Sequence, residues 1–276
     1  MQTTPEAPAA EPHSISQPGL PADAGTALAI EGLEHSFGAL RAIAGLDLAA
    51  GPREVLGIVG PSGCGKSTLL ELIAGLREPT RGRIAVGGAT AAAGERLARC
   101  AYMPQRDLLL PWLSAIDNAA LALRNRGVRR ATARRATAPL FERFGLAGFE
   151  HSRPGELSGG MRQRVAFLRT LMAGKPVLLL DEPFASLDAL TRGEMQEWLA
   201  GALVAEPRTV VLVTHDVEEA LYLSDRVAVL SARPGRAVAE VSFSSPRARP
   251  RPPAITSPEF AGLRERALAA LAEGSR

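Results

Sequence analysis

The chain has 276 residues, 46% hydrophobic and 22% charged, which excludes a wholly disordered or collagen-like polymer and allows a substantial core in one large or two small domains. Cys64 and Cys100 are too few for a disulfide framework and fit a reducing compartment. The formal net charge is only +3, from 32 basic and 29 acidic residues, so charge makes no strong case for a polyanionic partner; Lys66 and Lys175 are the only lysines among arginine cations.

From residue 1 to about 27, Pro, Ala and small polar residues follow one another without a period, and this stretch reads as a disordered tail. No Arg or Lys occurs in the first 40 residues, so the charged start of a secretory signal is missing. No apolar run approaches the roughly 18 residues of a membrane span. The expected location is therefore cytoplasmic. Short β-branched or aliphatic runs follow at 55–59, 84–86, 177–180, 210–213 and 227–230, several bounded by Gly, Asp or Thr and followed by helical patterns. That is the arrangement of buried strands in an α/β sheet. The segment before Leu46 and the run near Val238 read as edge strands.

The strand ending at Val59 runs straight into Gly60-Pro61-Ser62-Gly63-Cys64-Gly65-Lys66-Ser67-Thr68, after which Leu69, Leu70, Ile73 and Leu76 mark the apolar face of a helix. This is the phosphate-loop pattern. Its glycines let backbone N–H groups surround phosphate oxygens, and the helix N-terminus adds partial positive charge. Lys66 is placed to reach the β and γ phosphates and Ser67 to hold Mg²⁺. Cys64, among the loop amides, is open to two readings: a thiol of lowered pKa, or an inert one shielded by the fold.

Between 106 and 157 the strand pattern lapses, and 116–126 and 132–144 read as helices, an all-helical insert in an α/β domain. Six arginines cluster there, at 124, 126, 129, 130, 134 and 135; a solvated helix face and a contact with anionic lipid or with the loops of a partner protein are both open. Ser158 then caps a helix whose start is exposed by Gly159 and Gly160, with Met161, Val165, Leu168 and Met172 as its apolar stripe. It is a second helix end suited to anions. The run 177–180 leads to Asp181-Glu182-Pro183, two carboxylates at the end of a buried strand expected beside the Val59 strand. Asp181 suits Mg²⁺ ligation and Glu182 the orientation and deprotonation of an attacking water. Arg247, Arg249 and Arg251 between prolines at 246–253 read as an extended linker, and 258–272 as a short terminal helix.

The run Leu157-Ser158-Gly159-Gly160-Met161 closely resembles the signature of ATP-binding-cassette ATPases, usually Leu-Ser-Gly-Gly-Gln. The resemblance covers about 28–241. It implies a P-loop NTPase with a RecA-like mixed-sheet core, an antiparallel β edge subdomain and an inserted α-helical subdomain, with 242–276 left as linker and terminal helix. Phe37 stands where the family usually has a tyrosine stacking on adenine. Gln105 resembles the glutamine that links Mg²⁺ to the membrane partner. Ser186-Leu187-Asp188 looks like the loop across the dimer interface, and His215 resembles the histidine that senses the γ phosphate.

The implied cofactors are ATP and Mg²⁺. The implied assembly is a homodimer in the ATP-bound state, in which the phosphate loop of one copy and Ser158, Gly159 and Gly160 of the other enclose each ATP. Transmembrane permease subunits and an extracytoplasmic solute-binding protein complete it, with this chain on the cytoplasmic face of the membrane. Leu110-Pro111-Trp112-Leu113, Met161 and Asp181-Glu182-Pro183-Phe184 resemble importers of the nitrate, sulfonate and taurine group, to which cassettes for pyrimidine thiamine precursors are related. Phe37 and Ala185-Ser186 depart from that group's usual residues. Pro111-Trp112-Leu113 suits a groove for a permease helix or, alternatively, a local core cluster. A soluble cassette acting on DNA or ribosomes is the other reading. Lys66 and Ser158 lie too close together for the long coiled coil of repair cassettes, and one cassette is too few for the translation type. No nucleic-acid partner is expected.

Overall fold

The structure, a computed structural model, describes residues 27–185 and 187–275; the expected tail and Ser186 lie outside the described residues. In chain order the elements are β1 (Leu28–Phe37), β2 (Leu40–Ala50), β3 (Val55–Val59), α1 (Lys66–Ala74), β4 (Arg81–Val86), β5 (Ala89–Thr90), α2 (Ala93–Arg99), β6 (Cys100–Met103), α3 (Ala115–Ala119), α4 (Leu121–Asn125), α5 (Arg130–Arg143), α6 (Gly159–Met172), β7 (Val177–Asp181), α7 (Ala189–Ala205), β8 (Thr209–Thr214), α8 (Val217–Leu223), β9 (Arg226–Leu230), β10 (Ala237–Ser242), α9 (Arg251–Ile255) and α10 (Pro258–Gly274). Single 3-10 turns occupy Pro154–Glu156 and Pro246–Ala248.

Two sheets organise the chain. One is antiparallel, in the order β2-β1-β4-β5; the other is mixed, in the order β10-β9-β3-β8-β7-β6, with β10 alone running antiparallel to its neighbour. The central strands are apolar at nearly every position because both faces are covered. Val55 and Val59 of β3 join the core beneath α6, α7, α8 and α10, while Leu56 and Ile58 join the core shared with α1 and the antiparallel sheet. Strand alternation sends successive side chains to opposite faces, so a doubly covered strand reads as a continuous hydrophobic run.

Four expectations are corrected. The run at 84–86 belongs to β4 in the antiparallel sheet, not to the parallel core. The strand carrying Asp181 is not beside β3, because β8 pairs with both and separates them. Helix α1 stops at Ala74, where Gly75 adopts φ 78° and its N–H caps the carbonyls of Glu71 and Leu72, leaving Leu76 exposed beyond the end.

The proline-arginine segment is not an extended linker. It folds into the Pro246–Ala248 turn and α9, which are tied down by Arg247 to Asp225 (2.8 Å) and by Arg251 Nε to Gln196 Oε1 (2.7 Å). Tyr222 donates its hydroxyl proton to the Arg249 carbonyl at 3.1 Å. Proline at the first turn of a short helix costs nothing, since its missing N–H has no intrahelical partner there.

The helical insert contains α3, α4 and α5, and its fold rests on an ionic knot. Asp117, fully buried, accepts hydrogen bonds from Ser114, Arg130 and Arg134. Burial pushes its carboxyl up, but the guanidinium hydrogen bonds outweigh burial and hold it well below the usual carboxylate range. Two of the six clustered arginines are therefore engaged internally and do not form a free solvated face.

Candidate functional site

The turn between β3 and α1 is shaped by two glycines in the left-handed region, Gly63 at φ 77° and Gly65 at φ 105°. A Cβ at Gly65 would crowd the Ala42 carbonyl oxygen at 3.0 Å, and the positive φ strains any side chain there. The first N–H groups of α1 lack intrahelical partners and are available to an anion. Lys66 is buried, and its Nζ donates to the carbonyl oxygens of Gly60 (2.9 Å) and Pro61 (3.0 Å). A cleft of about 430 Å³ opens here, lined by Phe37 and Ala42 of the antiparallel sheet, by Ser62, Gly63 and 65–68, and by Gln105, Glu182 and Arg233.

At the end of β7, Asp181 is buried. It accepts a hydrogen bond from Ser67 Oγ on Oδ1 (3.1 Å) and one from the Tyr102 hydroxyl on Oδ2 (2.9 Å). Ser67 reaches it despite the intervening β8 because α1 packs across both β7 and β8. Burial pushes the Asp181 carboxyl above its ordinary value, while the hydrogen bonds from Tyr102 and Ser67 pull the other way.

Glu182 follows in a strained backbone position, φ 43°, held by its N–H to the Val213 carbonyl at 2.8 Å. Its Oε2 accepts from Gln105 Nε2 at 3.2 Å and lies 3.2 Å from His215 Nδ1. Two side chains from two other loops thus converge on one Glu182 carboxylate oxygen. A carboxylate held this way, beside a cleft and not buried, can take a proton from water.

Phe37 presents a half-exposed ring to the cleft, with the His35 ring against it at 4.7 Å and the Arg77 guanidinium 5.0 Å from its centroid. Ser158 caps α6, its Oγ accepting from the Met161 N–H at 3.2 Å, and Asp188 caps α7 by accepting from the Thr191 N–H at 3.0 Å. Both are exposed, and neither they nor Gly159 and Gly160 line the cleft of their own chain. The structure brings Phe37, the phosphate loop, Asp181, Glu182, Gln105 and His215 together and leaves the signature and Asp188 apart.

The ABC transporter family matches residues 43–185, just over half of the chain. The chain belongs to the ABC transporter family. It is 46% identical to the formylaminopyrimidine import ATP-binding protein ThiZ of Halalkalibacterium halodurans over 68% of this chain and 72% of that protein. It is also 46% identical to the aliphatic sulfonates import ATP-binding protein SsuB 1 of Rhodococcus jostii, over 77% and 82%, and 45% identical to the taurine import ATP-binding protein TauB of Burkholderia pseudomallei, over 76% and 80%. Among solved structures, a dimeric ATP-binding cassette in a post-hydrolysis state with ADP and Pi superposes with a TM-score of 0.67 at 27% identity, covering 78% of this chain and 98% of that one.

In this ABC-family chain, sequence reasoning missed Tyr102. One of only two tyrosines, it lies on a four-residue strand three positions before Gln105, and its partner Asp181 is 79 residues away. The reading of Cys64 as a low-pKa thiol is overturned: its side chain is buried, and burial pushes the thiol up, outweighing the lowering influence of Lys66. Trp112 is 68% exposed, which removes the reading of 111–113 as a core cluster.

Behind His215, α8 carries a buried carboxyl, Glu219, hydrogen-bonded to Gln196 Nε2 of α7 at 3.1 Å with Oε1 unpartnered. Burial, reinforced by Asp216, raises its pKa to about 8. The folded state therefore holds this proton between the unfolded value near pH 4.5 and pH 8, and the stability the neutral form contributes is lost as pH rises through that window. Glu219→Gln is expected to stabilise the protein more at pH 8 than at pH 5, by about 2 kcal/mol or more in the difference. Chemical denaturation of both proteins at the two pH values checks this; equal shifts at both would show that Glu219 is charged when buried.

Proposed function

We propose that the chain is the ATP-binding and ATP-hydrolysing subunit of an ABC importer for a small solute, working on the cytoplasmic face of the membrane as a homodimer bound to permease subunits. The observation that carries this reading is the Glu182 carboxylate held by Gln105 and His215 beside a phosphate loop whose Ser67 meets Asp181. The import roles printed for ThiZ, SsuB 1 and TauB support it. Residues 28–241 form the cassette in this reading, with 106–157 as its helical insert.

ATP enters with its base on Phe37 and its phosphates over the N–H groups of 62–68, with Lys66 turning from its own carbonyls toward the β and γ phosphates. The residues fit a Mg²⁺ ion: Ser67 and Asp181 set two hard oxygen donors side by side, with Gln105 within reach of the same cleft. When bound, the ion neutralises charge on the phosphate oxygens. Glu182 takes the proton from the attacking water, Gln105 and His215 fix its orientation, and Tyr102 holds Asp181 in position. Ser158, Gly159 and Gly160 close the site of a second copy, with Asp188 at the seam.

Two contacts support coupling to a permease. The segment after Gln105 is tied to the signature helix by Arg162 Nε to Asp107 Oδ2 (3.2 Å) and Arg169 Nη1 to the Leu108 carbonyl (2.7 Å). The same segment exposes Leu108 and Trp112. No helix among the described residues is long and apolar enough to cross a membrane; in this reading separate permease chains span it, served by a solute-binding protein outside. The import roles of the sulfonate, taurine and formylaminopyrimidine relatives support a small polar molecule as the solute. Affinity purification from membranes of the source cell, with quantitative proteomics, tests this. A multi-spanning permease recovered in an ATP-dependent complex is expected; tight retention of ribosomes or duplex DNA in its place would contradict it.

A further inference from the structure

One cleft residue belongs to none of the motifs read from the sequence. Arg233 lies in the short connection between β9 and β10, a loop hydrogen-bonded to β2 and packed closely against the phosphate loop. Gly235 donates its N–H to the Ala42 carbonyl (2.9 Å), and its own carbonyl accepts from Ala44 (3.1 Å). A Cβ on Gly235 would fall 2.3 Å from the Cys64 carbonyl oxygen, so a side chain there would force the two loops apart. Ser231 Oγ closes the turn by donating to the Pro234 carbonyl (3.1 Å) and accepting from the Arg236 N–H (3.1 Å). Ala232 donates to the carbonyl of Gly274 at the end of α10 (2.7 Å), which makes the C-terminal helix a buttress of this loop.

On that support the Arg233 guanidinium lies over Gly63. Nε donates to the Gly63 carbonyl at 3.0 Å, and Nη2 would be 2.9 Å from a Cβ at Gly63. Among the described residues neither Nη has a hydrogen-bond partner and no carboxylate pairs with Arg233. Arg233 and Lys66 are the two cations lining the cleft, and Lys66 occupies itself with Gly60 and Pro61. An exposed guanidinium fixed through Nε, with both Nη groups free, is the fork that pairs with phosphate oxygens.

We infer that Arg233 is a nucleotide-binding residue acting on the phosphate chain within its own chain, a second cation beside Lys66 held in place by the Ser231–Gly235 turn and the end of α10. This rests on the nucleotide reading of the cleft proposed above.

The test compares wild type, Arg233→Ala and Arg233→Lys for equilibrium binding of MgATP and MgADP and for steady-state ATPase, with apo melting temperatures as a folding control. Arg233→Ala is expected to weaken both nucleotides about tenfold, with the ATPase loss falling on KM more than on kcat. Arg233→Lys restores part of the affinity, because it keeps the charge while losing the fork and the Nε contact to Gly63. Equal affinity in Arg233→Ala and wild type would overturn the inference. So would a Lys variant as weak as the Ala variant at unchanged apo stability, since the side chain would then be only a prop for the loop. A wild-type chain that fails to bind MgATP at all would instead bring down the nucleotide reading on which the inference stands.

Discussion

Glu182→Gln is expected to retain MgATP while losing about 10² to 10⁴ of the ATPase rate, the usual cost of removing a general base. The substitution is isosteric and keeps an oxygen to accept from Gln105 Nε2, so the loop geometry set by φ 43° and the N–H to Val213 persists. What disappears is the capacity to take a proton from water. Binding is unaffected because the phosphate contacts come from 62–68 and Lys66, on a different element. Single-turnover and steady-state ATPase assays alongside nucleotide binding separate the two terms. Turnover within tenfold of wild type would remove Glu182 from the chemistry and leave His215 as the remaining candidate base.

Ser158→Arg is expected to abolish most turnover, by about 10² to 10³, while a single chain still binds MgATP with near-wild-type affinity. Ser158 is exposed and does not line the cleft of its own chain, so the substitution leaves the phosphate loop untouched. Losing the cap to Met161 costs about 1 kcal/mol of local helix stability, too little to unfold a core spread over two hydrophobic clusters. The loss therefore reports on a composite site. Mixing Ser158→Arg with Lys66→Ala supplies the sharper readout: one of the two sites in the mixed dimer then has an intact phosphate loop facing an intact signature, and activity rises above that of either variant alone. A mixture no better than its parts, with each chain folded, would place the signature outside the catalytic enclosure.

Much of this was legible in the sequence because the informative features are local. The glycine spacing of 60–68 dictates a turn of given backbone conformation, and β3, β7 and β8 announce themselves as continuous apolar runs because both their faces are covered. Ser158 caps its helix through a bond three residues long. What was not legible depends on distant partners. The insertion of β8 between β3 and β7 is a matter of strand order, which no local pattern encodes. The short strand β6 was missed, and Tyr102 with it, because four residues carry too little periodicity to register. The prolines at 246–253 promised an extended linker, yet Arg247 and Arg251 find Asp225 and Gln196 on other elements. Arg233 gave no signal because the carbonyl it binds lies 170 positions away.

The Cys64 correction follows the same division. Its neighbours in sequence, loop amides and Lys66, favour the thiolate, but the hydrophobic cluster that buries it is tertiary and wins.

The central claim is that each triphosphate is enclosed by two copies of this chain, and sedimentation of Glu182→Gln with and without MgATP tests it most directly. The account predicts a nucleotide-free monomer that becomes a dimer when ATP is bound and reverts when Ser158→Arg is added to the same chain. A fully ATP-loaded Glu182→Gln protein that stays monomeric at high concentration would contradict it.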